Sequence, residues 1–235
     1  MEMKNFYQQA GVAMTCRSYE EYVRMFDLDG LQLQGKRVLD VSGGASSFTA
    51  EADLRGILAE ASDPLYVMSA KEIGVHGLEE IKLSSSKLAG LQHLYNWDYY
   101  GSIERHRAGR ERSLGLFLED YSRPDSRARY HTGSLPELPF NEGTFSLVLC
   151  SHFLFLYEEQ FDYSFHLAAL KELLRICKKG GEVRIYPLLN FRTEPYGRLD
   201  ELLRALEEEG AAVQLLDSKL PFLPNSKQFL QIIKR

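Results

Sequence analysis

Short runs of continuous apolar residues recur along the chain, and stretches with helical spacing fall between them. The runs RVLDV (37–41), GILAEAS (56–62), TFSLVLCSHF (144–153) and EVRIYPLL (182–189) read as strands buried on both faces, the character of a parallel sheet. ARYHTG (128–133) reads as another strand, and the second run stops at Asp63-Pro64 because proline lacks the amide that continues a central ladder. Helical spacing occurs in SYEEYVRMFDL (18–28), where Ser18 and Glu21 hold the positions of a capping box and Tyr19, Tyr22, Val23 and Phe26 share a face, read as a docking face. It returns in SSFTAEADLR (46–55), closed by Gly56, and in YGRLDELLRALEEEG (196–210), stopped by Gly210. In DYSFHLAALKELLRICKKGG (162–181), Phe165, Ala169, Leu173 and Ile176 line one face, Lys178 and Lys179 suit the negative helix end, and Gly180 stops it.

The last segments, AAVQLLDSKL (211–220) and KQFLQIIKR (227–235), are joined by a loop too short for a crossover helix, so they pair antiparallel. Seven strands alternating with helices predict an α/β fold: a doubly wound, Rossmann-like seven-stranded sheet, mostly parallel, with one antiparallel strand near an edge. The span 65–128 is far longer than a usual crossover, rich in helix formers, and contains the only tryptophan, Trp97. We read residues 1–235 as one domain, with 1–34 a helical cap and 65–128 a helical insertion or lid.

Composition changes this picture little. A formal charge of −5 argues against a nucleic-acid backbone as partner, since such binding depends on many Lys and Arg at phosphates. Cys16, Cys150 and Cys177 form no C-x-x-C pair and read as buried thiols of a reducing compartment; no metal ligand set is read. The opening MEMKNFYQQAGVAMT lacks the apolar core of a signal peptide, and FSLVLCSHFLFLY is too short to span a bilayer, so a cytoplasmic protein with no membrane partner is expected.

Ligands of open α/β sheets sit outside the carboxyl ends of the strands. Here that edge carries Asp40 to Ser46, Asp63-Pro64, the loop TGSLPELPF (132–140) and Ser151-His152. Ser42, Gly43, Gly44, Ala45 and Ser46 let the backbone approach a ligand, and the helix that follows points its amides at it. Asp63, at the end of the second strand, is placed to accept hydrogen bonds from the two hydroxyls of a ribose.

With these residues in place, VLDVSGGASSFTAEA, EASDP, LPELPFNEGTFSLVLCSH and ALKELLRICKKGGEVRI resemble, in order and over about residues 35–190, the motifs of the class I S-adenosylmethionine-dependent methyltransferases, of the methyltransferase-11-like, small-molecule type. The resemblance implies S-adenosylmethionine as cofactor. It places Asp40, Ser42, Gly43, Gly44 and Ser46 on the methionine-side turn, Asp63 and Pro64 at ribose, Ser134 and Leu135 in the adenine loop, and Ser151 at the end of the fourth strand. The chain departs from the family's G-x-G-x-G turn, in which Gly44 matches the middle glycine and Ser42 and Ser46 replace the outer two. Serine adds a Cβ that resists positive φ. The acid often found in the adenine loop is Ser134 here.

Methyl transfer needs alignment and exclusion of water, and a base only where the acceptor loses a proton. His152 is the candidate base, with Tyr157 and His131 behind it, though a packed histidine that helps close the cofactor pocket is the slightly favoured reading of His152; His131, mid-strand, reads as structural. Residues 93–100 (HLYNWDYY) either line an acceptor pocket or form the insertion's own core, since Leu91, Leu94, Tyr95 and Asp98 have helical spacing. Arginines 105, 107, 110 and 112 offer either an anionic-substrate site or, with Glu104 and Glu111 among them, a solvated helix face, which is the preferred reading. The reading reached is methyl transfer to a small or medium organic acceptor, of unassigned oligomeric state. Its rivals are a non-catalytic binding or regulatory protein on the same fold and an RNA methyltransferase, the latter disfavoured by the acidic balance. A nicotinamide oxidoreductase fits poorly, because G-x-G-x-x-G spacing is absent from SGGASSF.

Overall fold

The structure is a computed structural model that describes residues 6–9, 11–223 and 225–235. Its seven strands are β1 (Arg37–Val41), β2 (Leu58–Ser62), β3 (Tyr130–His131), β4 (Phe145–Ser151), β5 (Cys177–Tyr186), β6 (Ala212–Asp217) and β7 (Gln228–Ile233). They form one sheet in the order β3-β2-β1-β4-β5-β7-β6. β1, β2, β3, β4 and β5 pair in parallel, and β7 lies antiparallel between β5 and β6. The strand that reverses is therefore one place in from the edge, where the short loop after β6 returns it.

Among the described residues, six α-helices flank the sheet: α1 (Tyr19–Phe26), α2 (Phe48–Asp53), α3 (Ala70–Ala89), α4 (Ile103–Tyr121), α5 (Tyr163–Ile176) and α6 (Leu199–Glu208). The capping box of α1 forms, with the Glu21 amide donating to Ser18 Oγ and Glu21 accepting from the Ser18 amide. Its predicted face docks on the sheet: Tyr22, Met25 and Phe26 are sealed against Val38, Leu149, Tyr186 and Phe229. Each such buried side chain contributes about 1.5–3 kcal/mol. The other sheet face packs Leu39, Val148 and Ile185 against Ala169, Leu173 and Leu202 of α5 and α6.

Three expectations are corrected. α5 ends at Ile176 rather than Gly180, and β5 begins at Cys177. Cys177 pairs with Phe145 and Glu182 with Leu147, so residues 178–181 bulge out of the ladder with both lysines exposed. Residues 91–98 are no helix, only a single 3-10 turn over Gln92–Leu94, which the Trp97 indole closes by donating to the Gln92 carbonyl. β3 shrinks to two residues because the chain leaves the sheet at Thr132. All three cysteines are buried and free, and no helix among the described residues is long and apolar enough to cross a membrane.

Candidate active site

The carboxyl ends of β1, β2 and β4 meet at one place. After Val41 the chain turns through Ser42 (φ 57°), Gly43 and Gly44 (φ 56°) into α2. The Ser42 amide donates to the Ser62 carbonyl at 2.8 Å, which pins the turn to the end of β2. Ser42 thus holds the left-handed backbone that its Cβ resists, while Ser46 does not.

The two acids of the turn are buried and already partnered. Asp40 accepts from the Tyr22 hydroxyl at 2.9 and 3.0 Å. Asp63 accepts from the Gly44 amide on Oδ2 and from the Leu65 amide on Oδ1, each at 2.9 Å. Burial pushes both carboxyls up. The Tyr22 hydroxyl opposes that rise at Asp40, where the nearby Asp63 adds to it, and the Leu65 and Gly44 amides oppose it at Asp63. Tyr66 covers the turn from the other side: its hydroxyl donates to the Gly44 carbonyl at 2.9 Å, and its ring packs among Phe117, Tyr121 and Tyr130.

Residues 13–17 lie across the turn as a strap. The Ala45 amide donates to the Thr15 carbonyl and the Ser47 amide to the Arg17 carbonyl, both at 2.9 Å, while the Arg17 amide donates to Ser46 Oγ at 3.1 Å. Met14 and Cys16 pack into the cluster of Tyr66, Ile81, Leu114 and Phe117. The same five strap residues form one wall of a cavity of about 130 Å³. Ile81, Ser84 and Leu88 of α3 line it with Tyr95, Tyr157 and Phe222, and His152 reaches it from just beyond β4.

Arg110 crosses from α4 to hold this wall. It is buried, and donates to Glu21 at 2.7 Å and to the Cys16 carbonyl and the Tyr100 hydroxyl at 3.0 Å. Burial alone would raise the Glu21 carboxyl; Arg110 and Arg17, helped by the Tyr100 hydroxyl and the Ser18 amide, hold it instead at about 2. Burial and the adjacent Arg110 push His106 down to about 2, and burial with Arg17 and Arg110 keeps His152 well below the usual histidine range. His152 is therefore neutral at pH 7, with Nδ1 2.8 Å from Ser151 Oγ.

The sequence-predicted residues separate into groups. Asp40, Ser42, Gly43, Gly44, Ser46 and Asp63 come together at the turn, with Pro64 exposed at the first position of a 3-10 turn. Ser151 is buried behind His152, its hydroxyl 3.8 Å from Met25 Sδ. Leu135 points into the core on the α5 side, and Ser134 is exposed in a loop bordering a separate shallow depression. His131 pairs with Glu60 at 2.7 Å, a structural role. Arg110 is no part of a solvated face, although Arg107 is, paired with Glu111 at 2.7 Å. The signal was present: stepping back from Phe117 and Tyr121 by three and four residues reaches Ser113, Arg110 and His106 on the buried face of α4. Tyr66 and the strap carried no pattern that periodicity detects.

The family model of a methyltransferase domain matches residues 110–185, from within α4 to β5. The uncharacterized protein MJ0045 of Methanocaldococcus jannaschii is 35% identical over 189 residues, covering 80% of this chain and 83% of its own. The chain belongs to the class I S-adenosylmethionine-dependent methyltransferases. The family's cofactor is S-adenosylmethionine. Solved structures similar to this family member include a TehB-like methyltransferase of Corynebacterium glutamicum, at 16% identity over 88% of this chain and 85% of that one with a TM-score of 0.49. Magnesium protoporphyrin IX methyltransferase of Synechocystis is 14% identical over 92% of this chain and 78% of its own, with a TM-score of 0.48.

By residue type the turn and Asp63 suit this cofactor, and in the present arrangement the chain's own residues lie against both. A Cβ built on Gly44 would lie 2.7 Å from the Thr15 oxygen and 2.9 Å from the Thr15 nitrogen, so strap backbone already fills the closest approach to the turn. Both Asp63 oxygens accept from backbone amides, and Tyr66 fills the space beside Gly44. Residues 13–17 and Tyr66 thus occupy the two sides of the turn in this structure.

Proposed function

We propose that this chain methylates a small or medium organic acceptor held against α3, α4 and the end of β4, in the cavity that the strap here separates from the glycine turn. The observation that carries the reading is the cavity's position: it adjoins the carboxyl end of β4 through His152 and shares the strap with the glycine turn. S-adenosylmethionine supplies an electrophilic methyl group to such a reaction. The chain's own part is to enclose and orient the acceptor against the faces of Tyr95, Tyr157 and Phe222, away from water. His152 is neutral and lies 2.8 Å from Ser151 Oγ through Nδ1; in the tautomer with Nδ1 protonated and donating to that hydroxyl, Nε2 is an acceptor for a proton or a hydrogen-bonding hydroxyl. Its lowered pKa makes it a weak base, suited to guiding an acidic acceptor proton rather than abstracting a reluctant one.

Incubation with S-adenosylmethionine labelled in its methyl group, against a panel of phenols, carboxylic acids and amines, tests the reading. We expect label in one small-molecule class, with His152→Phe lowering turnover at least tenfold. Cofactor binding without transfer to any acceptor, small or macromolecular, would favour the non-catalytic alternative.

A further inference from the structure

We infer that residues 13–17 gate the cofactor turn: strap and cofactor compete for the same backbone, and cofactor entry lifts the strap out of the crevice. The inference rests on the cofactor reading above and adds to it a closed state built from the chain's own residues. The strap engages the turn at alternate positions, Thr15 to Ala45 and Arg17 to Ser46 and Ser47, as an added strand would. Its intervening side chains, Met14 and Cys16, are inserted beside Tyr66 and Phe117. The turn therefore has its amides satisfied and its apolar neighbours covered without a ligand.

Two anchors hold the strap from outside the turn. The Ala13 amide donates to the Tyr157 hydroxyl at 2.8 Å, and the Cys16 carbonyl accepts from Arg110 at 3.0 Å. Because the strap's other side lines the cavity, lifting it joins cavity and turn into one compartment. The gate thus links the two sites: the acceptor space acquires its final shape only when the cofactor has displaced the wall between them.

The strap carries its own reporter. Cys16 is 2% exposed, and burial pushes its thiol up to about 12, so it is protected while the strap is seated. Cys150 and Cys177, both fully buried in strands β4 and β5, serve as internal references. The experiment is mass-resolved alkylation of the three thiols with and without saturating S-adenosylhomocysteine, together with calorimetric titration of the same ligand into wild type and Tyr157→Phe. The substitution removes one hydrogen bond of the closed arrangement only, so it raises the competent population and tightens binding by about fivefold. Cys16 labelling should rise about tenfold or more with ligand while Cys150 and Cys177 stay unmodified.

Ligand binding with Cys16 labelled no faster, or with Tyr157→Phe binding no more tightly, overturns the gate and leaves the cofactor reading standing. Binding by Tyr157→Phe alone supports a gate too stable to open in wild type. Binding by neither protein, with both melting cooperatively, removes the cofactor reading and the gate with it.

Discussion

Replacing Arg110 with methionine would strip the partner from a buried carboxylate. In the native fold the guanidinium donates to Glu21 at 2.7 Å and to the Cys16 carbonyl and Tyr100 hydroxyl at 3.0 Å, all among buried residues. Breaking such a pair from one side leaves a buried charge held only by Arg17, the Tyr100 hydroxyl and the Ser18 amide, a loss of about 3 kcal/mol, the lower end of the range for broken buried pairs. Removing both charges, as in Glu21→Leu with Arg110→Met, should recover at least about 2 kcal/mol of that, since apolar pairs of similar volume replace buried ion pairs with little net change. The pH dependence gives a second handle. In wild type Glu21 titrates at about 2, so its contribution is present above the ordinary carboxyl value of about 4.3 and is lost only as pH falls toward 2. In Arg110→Met the loss of the arginine lets burial push the carboxyl up, so the deficit should be largest at pH 7 and shrink toward pH 4.5 as Glu21 takes a proton in the fold. Urea unfolding of the two single variants and the double variant at both pH values measures this. Strictly additive losses, or a deficit that does not change with pH, would refute the assignment of Glu21 and Arg110 as a coupled buried pair.

Ser42→Gly relieves a left-handed serine and should stabilise the fold by about 1 kcal/mol, raising the melting temperature by about 2–4 °C; a lower melting temperature would mean the serine hydroxyl has a structural role. His106 is held neutral by burial and Arg110, with its pKa pushed down to about 2, so its contribution is intact above about 6.5 and is lost as pH falls. Between pH 6.5 and pH 5 that amounts to about 2 kcal/mol, and His106→Phe should show a correspondingly flatter stability profile than wild type over this interval. Asp63→Ala leaves the Gly44 and Leu65 amides unpaired, which lowers stability by about 2–4 kcal/mol and should weaken S-adenosylhomocysteine binding at least tenfold. Unchanged affinity would mean that Asp63 does not hold the ribose.

The sheet was legible because its signals are local and repeated. Apolar runs such as that of β4, buried along almost its whole length, have few alternatives to a central parallel strand, and the loop before β7 leaves no room for a crossover. The glycine turn was legible for the same reason, since strand, small residues and helix follow one another within a few positions. What covers the turn was not. The Thr15 contacts with residues 44 and 45 span about thirty positions, and Arg110 reaches Glu21 across 89, so no window of sequence contains both partners. The arginines of α4 looked like a charged solvent face because their sign and density dominate the composition there; only their phase against Phe117 and Tyr121 shows that Arg110 turns inward. Ser134 and Leu135 matched a motif by order along the chain, yet Leu135 is drawn into the core under α5, where the residue is 6% exposed.

Calorimetric titration of the purified protein with S-adenosylmethionine and S-adenosylhomocysteine, with NAD as control, bears most directly on the central claim. We expect one-to-one binding of the two sulfur nucleosides at micromolar affinity and none of NAD. Failure of both to bind wild type and Tyr157→Phe alike, or binding of NAD in their place, would contradict it.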